Sequence, residues 1–187
     1  MRLDRIYTRG GDKGLTSLGD GARVPKFNLR VKACGGLDEA NAALGVALLH
    51  IADEDVRTIL TQAQNDLFDV GADLCRPQHT TERAVPLRVT DRQTLRLEHD
   101  IDRFNEALSP LTSFVLPGGG PASAYLHLAR TVVRRAERDI AELAAHDGVN
   151  PEALKYVNRL SDLLFVLGRY LNEGGAADIL WKPGQNR

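Results

Sequence analysis

Between Ala122 and Leu143 the apolar residues Ala122, Leu126, Ala129, Val133, Ala136, Ile140 and Leu143 recur at alternating steps of four and three. Side chains at those intervals share one face of an α-helix, so the stretch predicts a long helix with an apolar seam that must be covered. Such a seam suits antiparallel packing against neighbouring helices.

Four further stretches repeat the helical period. From about Asn28 to His50 it runs through Leu37, Ala40, Leu44, Ala47 and Leu48, and from Glu54 to Leu74 through Ile59, Ala63, Leu67, Val70 and Leu74, where Arg76-Pro77 stops it. Gln78 to Val89 reads as a loop, and Thr90 as the cap of a helix reaching about Ala107. After a loop at His146 to Pro151, the last helix carries Val157, Leu160, Leu164, Leu167 and Leu171 and ends at Gly174-Gly175. With no convincing strand run, the pattern predicts an all-α, five-helix up-and-down bundle. The chain has 187 residues, 43% of them hydrophobic, enough for one core and hence one domain over 1–187. Within it, 1–27 is an ordered N-terminal loop, 28–175 the bundle and 176–187 a tail, loose from Lys182 onward.

Charge excludes some partners. The 24 basic and 25 acidic residues nearly cancel, so no overall field draws the chain to nucleic acid or an anionic membrane. No apolar run approaches the ~20 residues of a membrane span, and MRLDRIYTRGGDKG resembles neither a signal nor a transit peptide. Cys34 and Cys75 form no CxxC pair and no disulfide framework. Together these features lead to the expectation of a cytoplasmic protein.

The chemistry-bearing groups fall in four places. Arg130, Arg134 and Arg138 stand four apart on the seam helix beside Glu137, with Arg135 on a neighbouring face. Guanidinium forks match phosphate oxygens, but spacing alone fits a solvated face with i,i+4 ion pairs better. Thr8 to Lys26 combine glycines with Arg9, Lys13, Lys26 and hydroxyls, which suits an anion cradle as well as a merely soluble terminus. Neither GxxxxGK[ST] nor GxGxxG is present. On the last helix Asn158 and Asp162 are i,i+4 neighbours. Phe114 precedes Pro117-Gly118-Gly119-Gly120, and a core plug is favoured there over a lid on a flat ligand. The histidines His50, His79, His99, His127 and His146 form no HExxH and no ExxH, which opposes a zinc hydrolase or a di-iron bundle. Cys34 lacks a histidine partner in sequence and reads as a small buried residue.

Taken together, IYTRGGDKGLTSL with VPK, GGLDEANAALG, FVLPGGGPASAYLHLARTVVRRAER and YVNRLSDLLFVLGRYLN resemble the PduO-type ATP:cob(I)alamin adenosyltransferases, the group that includes the human methylmalonic aciduria type B enzyme. The resemblance spans nearly the whole chain. It implies a five-helix bundle, ferritin-like in overall architecture, that assembles as a homotrimer with ATP at subunit interfaces. Carried over by position, Thr8, Arg9, Gly11, Asp12, Gly14, Thr16, Ser17 and Lys26 belong to the ATP loop. Arg134, Glu137 and Asn158 face the nucleotide from the bundle, and Arg130 pairs with Asp38 in a contact that helps join subunits. Phe114 lies against the lower face of the corrin, with Phe165 lining the same cavity.

The implied reaction moves the 5′-deoxyadenosyl group of ATP to the cobalt of cob(I)alamin and releases triphosphate. Mg²⁺ arrives with ATP rather than at a protein metal site, and an external reductant is required. A reductase and a B12-dependent acceptor enzyme are the implied partners. The alternative is a non-catalytic module that binds or delivers a corrinoid. Three positions depart from the family pattern: Gly10 stands where Thr is common, Cys34 where Tyr is common, and Gly36 where Thr or Ser is common.

Overall fold

A computed structural model describes residues 6–78 and 86–187; His79 and the middle of the loop expected over Gln78 to Val89 lie outside the described residues, as do residues 1–5. The helices are α1 (Leu29–Leu48), α2 (Glu54–Leu74), α3 (Asp91–Asn105), α4 (Pro121–His146) and α5 (Pro151–Tyr170). Local chemistry sets their starts. The side chains of Asn28, Asp53 and Asn150 accept backbone N–H groups of the first turns of α1, α2 and α5. Thr90 and Gln93 form a capping box at α3. Pro121 and Pro151 open α4 and α5, where no donor is needed. Helix α5 stops at Tyr170, and a single 3₁₀ turn at Glu173–Gly175 follows, so the regular bundle ends before the expected boundary at 175.

The expectation of no strand needs correction. Within the N-terminal loop, β1 (Leu15–Ser17) pairs antiparallel with β2 (Arg23–Pro25), Thr16 opposite Val24. Three residues per strand are too few to display alternation in sequence. Gly21, at φ 86°, turns the chain between them.

Helix α4 lies at the centre, packed on α1 along one side and α5 along the other, while α2 flanks α1 and α3 flanks α5. The Arg96–Asp66 and Arg103–Asp55 ion pairs join α3 to α2, and Tyr156 of α5 also donates to Asp66, so the five helices close on one another as a bundle. Leu126, Ala129, Val133, Ala136, Ile140 and Leu143 are buried, with Ala122 packed at the margin. The α1–α4 contact is close because it is built from small residues: a Cβ at Gly36 would stand 3.2 Å from the Cα of Ala136.

Buried polar groups tie one end of the bundle. Arg30, 2% exposed, donates to the Leu74 carbonyl, the Gly148 carbonyl and the Asp147 carboxylate, joining α1 to α2 and to the α4–α5 connection. Asp73, 1% exposed, accepts from Arg88 at 2.7 Å, the Val89 amide at 2.8 Å and Asn150 at 2.7 Å. That carboxylate fastens the end of α2 to the approach of α3 and the cap of α5. Replacing Asp73 with Ala leaves the Val89 amide without its acceptor and removes the carboxylate that Arg88 and Asn150 share, so chemical denaturation should show a loss of about 3–5 kcal/mol. A loss below about 1 kcal/mol, ordinary for a surface position, would mean that the network is not what holds this end together.

Candidate functional site

Two aromatic residues singled out by the sequence meet at one cavity. A space of about 670 Å³ opens between the segment before α4, the flank of α4 and α5, and the C-terminal tail; Phe114, Val115, Arg130, Phe165, Trp181 and Pro183 line it. Phe114 is 77% exposed, which overturns the core-plug reading. Its ring stands 6.0 Å from that of Trp181, tilted by 51°. Phe165 packs edge-on against His127, ring centres 6.1 Å apart.

The tail builds half of this wall. Val115 pairs with Leu180 as an antiparallel bridge, the Leu116 amide donates to the Ile179 carbonyl at 2.8 Å, and the Trp181 amide donates to the Phe114 carbonyl at 2.7 Å. Ser113 adds a hydroxyl bond to the Trp181 carbonyl. Trp181 carried no sequence argument, although the apolar triplet Ile179-Leu180-Trp181 within an otherwise polar tail was a usable signal.

Arg130 reaches the cavity from α4, and its Nε is buried without a hydrogen-bond partner. Burial, then the neighbouring Arg134, lowers its pKa from the usual arginine value, yet a guanidinium remains charged at neutral pH. The expected partner, Asp38, sits on the exposed face of α1, and the two form no ion pair within one chain. Asp38 instead borders a second cavity of about 360 Å³ with Leu37, Phe68, Cys34 and Cys75, where Phe68 is 69% exposed. The two cysteines, distant in sequence, thus meet at one cavity wall. Burial, then Cys75, pushes the Cys34 thiol up to about 12, the condition of an inert thiol.

Farther along α4, Arg134 is exposed and Glu137 accepts a 2.8 Å hydrogen bond from Asn158 of α5. The ion pairs that spacing suggested along the stripe are not formed: among the described residues Arg135 pairs with Glu39 of α1, and Arg130, Arg134 and Arg138 pair with no acid. Asp162 pairs with Arg159, which also bonds Glu98 of α3. The result is a row of unneutralised guanidinium groups beside the aromatic cavity.

The N-terminal loop is ordered by its own bonds. Arg23 donates to the Gly10 carbonyl at 2.6 Å and to the Ser17 hydroxyl at 3.2 Å, and the Lys26 amide donates to the Gly14 carbonyl at 2.9 Å. The Lys26 ammonium lies over Gly11, 3.1 Å from where a Cβ would be. Arg9 holds φ 58°, a left-handed conformation that costs a non-glycine residue roughly 1–3 kcal/mol and concentrates at ligand clamps. Thr8, Asp12, Gly14, Thr16 and Ser17 belong to the same folded-back segment. The loop is anchored on the end of α2, with the Gly19 amide on the Cys75 carbonyl and Arg76 on the Gly19 carbonyl. Among the described residues no hydrogen bond or ion pair joins it to Arg134, Glu137 or Asn158. Arg23, a bracing residue, carried no motif that could have marked it.

Among the described residues no group of three His, Cys, Asp or Glu could by itself hold a metal ion. Among the described residues no helix is long and apolar enough to cross a membrane.

Comparisons with known proteins bear on the fold and the family. Residues 6–171 match the family model for cobalamin adenosyltransferase. The corrinoid adenosyltransferase of Mycobacterium tuberculosis is 52% identical over 190 residues, covering 100% of this chain and 97% of that protein. A variant PduO-type ATP:corrinoid adenosyltransferase from Lactobacillus reuteri, solved with cobalamin and ATP, superposes with a TM-score of 0.90 at 35% identity, covering 96% of this chain and 97% of that one. An ATP complex of another variant of that enzyme gives a TM-score of 0.88, also at 35% identity. With a helical bundle, an aromatic cavity and a row of free arginines already in place, these matches show that the chain belongs to the cobalamin adenosyltransferase family.

Proposed function

We propose that this chain transfers the 5′-deoxyadenosyl group of ATP to the cobalt of cob(I)alamin at the cavity between Phe114, Arg130, Phe165 and Trp181, with triphosphate leaving along the Arg134 side of α4. The observation that carries the assignment of residues is the juxtaposition of an open apolar cavity with guanidinium groups that have no acid partner. A flat macrocycle suits the first and a polyphosphate the second.

In this reaction the cobalt electron pair attacks C5′, the C5′–O bond breaks, and its electrons leave on triphosphate. Cobalt is the nucleophile, so the protein needs no serine, cysteine or general base. Its residues supply alignment and charge: Arg130 and Arg134 stabilise the departing phosphates, and Glu137 holds Asn158 to define the nucleotide-facing surface. Mg²⁺ carried by ATP would supply further charge neutralisation, which fits a loop offering hydroxyls and the Asp12 carboxylate rather than a metal cage. Phe114 and Trp181 exclude water and an axial base from the lower face of the corrin, so that an external reductant can reach Co(I).

The site is completed by assembly as a homotrimer. Asp38 and Arg130 each lack their partner within one chain, Phe68 is exposed beside Asp38, and the loop of Thr8 to Lys26 has no bond to the residues it is meant to face. An arrangement in which the loop and Asp38 of one subunit meet α4 of the next satisfies all three. Residues 1–27 then act as the ATP loop, 28–175 as the bundle and 176–187 as a cavity wall in one domain. Free Cys34 and Cys75 suit the reducing cytoplasm, where a reductase would supply electrons and a B12-dependent enzyme would accept the product.

Formation of adenosylcobalamin from ATP, cob(II)alamin and a reductant, followed optically, tests the activity; binding of corrinoid without turnover would favour the delivery module. In the same assay Arg134→Ala should lower kcat/KM for ATP by about 100-fold while trimer and fold persist. Normal turnover at limiting ATP would remove Arg134 from the site. Asp38→Asn should weaken assembly by about 3–5 kcal/mol by leaving Arg130 buried and unpaired. A double-mutant cycle with Arg130 then reads the coupling in trimer dissociation, and additive effects would dissolve the pair. Because Phe114 is so exposed, Phe114→Ala should change unfolding free energy by only about 0.5 kcal/mol yet abolish most use of cob(II)alamin, with chemically prepared cob(I)alamin restoring the rate. A variant that shows four-coordinate cob(II)alamin as fully as the parent would end that role.

A further inference from the structure

The positions of Phe114 and Trp181 raise a physical question. The rings are 77% and 46% exposed, so burial against a core does little to hold either of them. What fixes them is backbone: the Val115–Leu180 bridge and its flanking bonds. An isolated bridge of this kind is weak unless its ends are tied.

All of its ends run to one buried cluster. Arg169, its side chain 6% exposed, donates through Nε to Asp178 at 2.8 Å, and the Asp178 side chain is 3% exposed. Through Nη2, Arg169 also donates to the Ser109 carbonyl at 3.0 Å, upstream of Phe114. Asn172 donates to Asp178 at 2.9 Å and accepts the Gly120 amide at 3.3 Å, downstream of Phe114. Asp178 itself leads directly into Ile179, Leu180 and Trp181. The approach is close enough to dictate residue type: Gly119 holds φ 94°, and a Cβ there would stand 2.4 Å from the Asn172 Oδ1.

We propose that Arg169, Asn172 and Asp178 are positioning residues for the transfer reaction: a buried polar latch that sets the Phe114 segment and the Trp181 segment against each other as one wall of the corrin cavity. None of the three lines the cavity, so they act through the two aromatic rings. A buried ion pair is poor evidence of stability by itself, since apolar replacements often serve as well. What this one supplies is a single geometry for two chain segments that little packing holds in place. The inference rests on the corrinoid reading given above.

Trp181 is the only tryptophan, so its fluorescence reports the wall directly. The test uses the full-length protein with Asn172→Ala, and with Gly119→Ala as a second variant that disturbs the same contact sterically while keeping every buried polar group. Melting, acrylamide quenching of Trp181, KM for ATP, and rates with cob(II)alamin plus reductant and with chemically prepared cob(I)alamin are measured for each. The latch predicts stronger quenching, a cob(II)alamin rate lowered at least about tenfold, a KM for ATP within about twofold of the parent, and recovery with cob(I)alamin. Unchanged quenching and unchanged cob(II)alamin use in a folded variant overturn it. So does a parallel loss in all assays that follows the melting temperature, which marks a purely structural cluster. If Asn172→Ala fails to fold, Gly119→Ala decides by the same measurements. If the parent protein forms no adenosylcobalamin, the activity reading falls, while the quenching comparison still upholds or rejects the latch.

Discussion

The close contact of α1 with α4 is the constraint on which the rest of the molecule depends. Gly36 opposite Ala136 brings the two backbones near enough that a Cβ at position 36 would press on the neighbouring main chain. With α1 against one side of α4 and α5 against the other, the apolar seam from Leu126 to Leu143 is consumed by packing. The polar side of the same helix is left outside, so Arg130 and Arg134 are presented from a rigid element rather than from a loop. A Thr or Ser at position 36 would demand a slightly wider seam. Gly36 is thus a local packing solution of this chain.

Electrostatics divides the molecule into satisfied and unsatisfied parts. Arg30, Asp73 and Arg169 are buried and surrounded by acceptors or donors. Among the described residues Arg130 and Arg134 are not paired with any acid, and Arg130 keeps a buried Nε without an acceptor. Leaving a buried cationic donor without a partner costs free energy. In the proposed site that cost marks where a phosphate, or Asp38 of a neighbouring subunit, would belong. The strained Arg9 and the folded-back Lys26 pose the same question from the other half of the proposed nucleotide site.

The helices were legible because each carries its period and its own start signal. Asn28, Asp53, Thr90 and Asn150 cap the helices that follow them, so start positions could be read directly from local chemistry. The β1–β2 hairpin was not legible, since three-residue strands show no alternation. Phe114 was misread on its residues alone as a core plug, because an aromatic side chain in an apolar run carries no sign of which way its backbone turns. Trp181 was missed for a related reason: its place beside Phe114 depends on the contacts of Asp178 with Arg169 and Asn172, which sequence distance conceals.

The sequence by itself therefore determined the helical content, the seam of α4, the arginine row and, through four motifs in order, the family resemblance. Those properties are local or periodic, and a residue's neighbours along the chain suffice to specify them. Tertiary structure alone decided that Cys34 and Cys75 share one cavity, that α3 packs on α5 while its arginines reach Asp55 and Asp66 of α2, and that the tail closes on Phe114. It also decided that, among the described residues, Arg130, Arg134 and Arg138 of α4 find no acid while Arg135 pairs with Glu39 of α1. Each of these is a contact between segments far apart in sequence, set by which surfaces remain uncovered after the helices pack, and no periodicity records that.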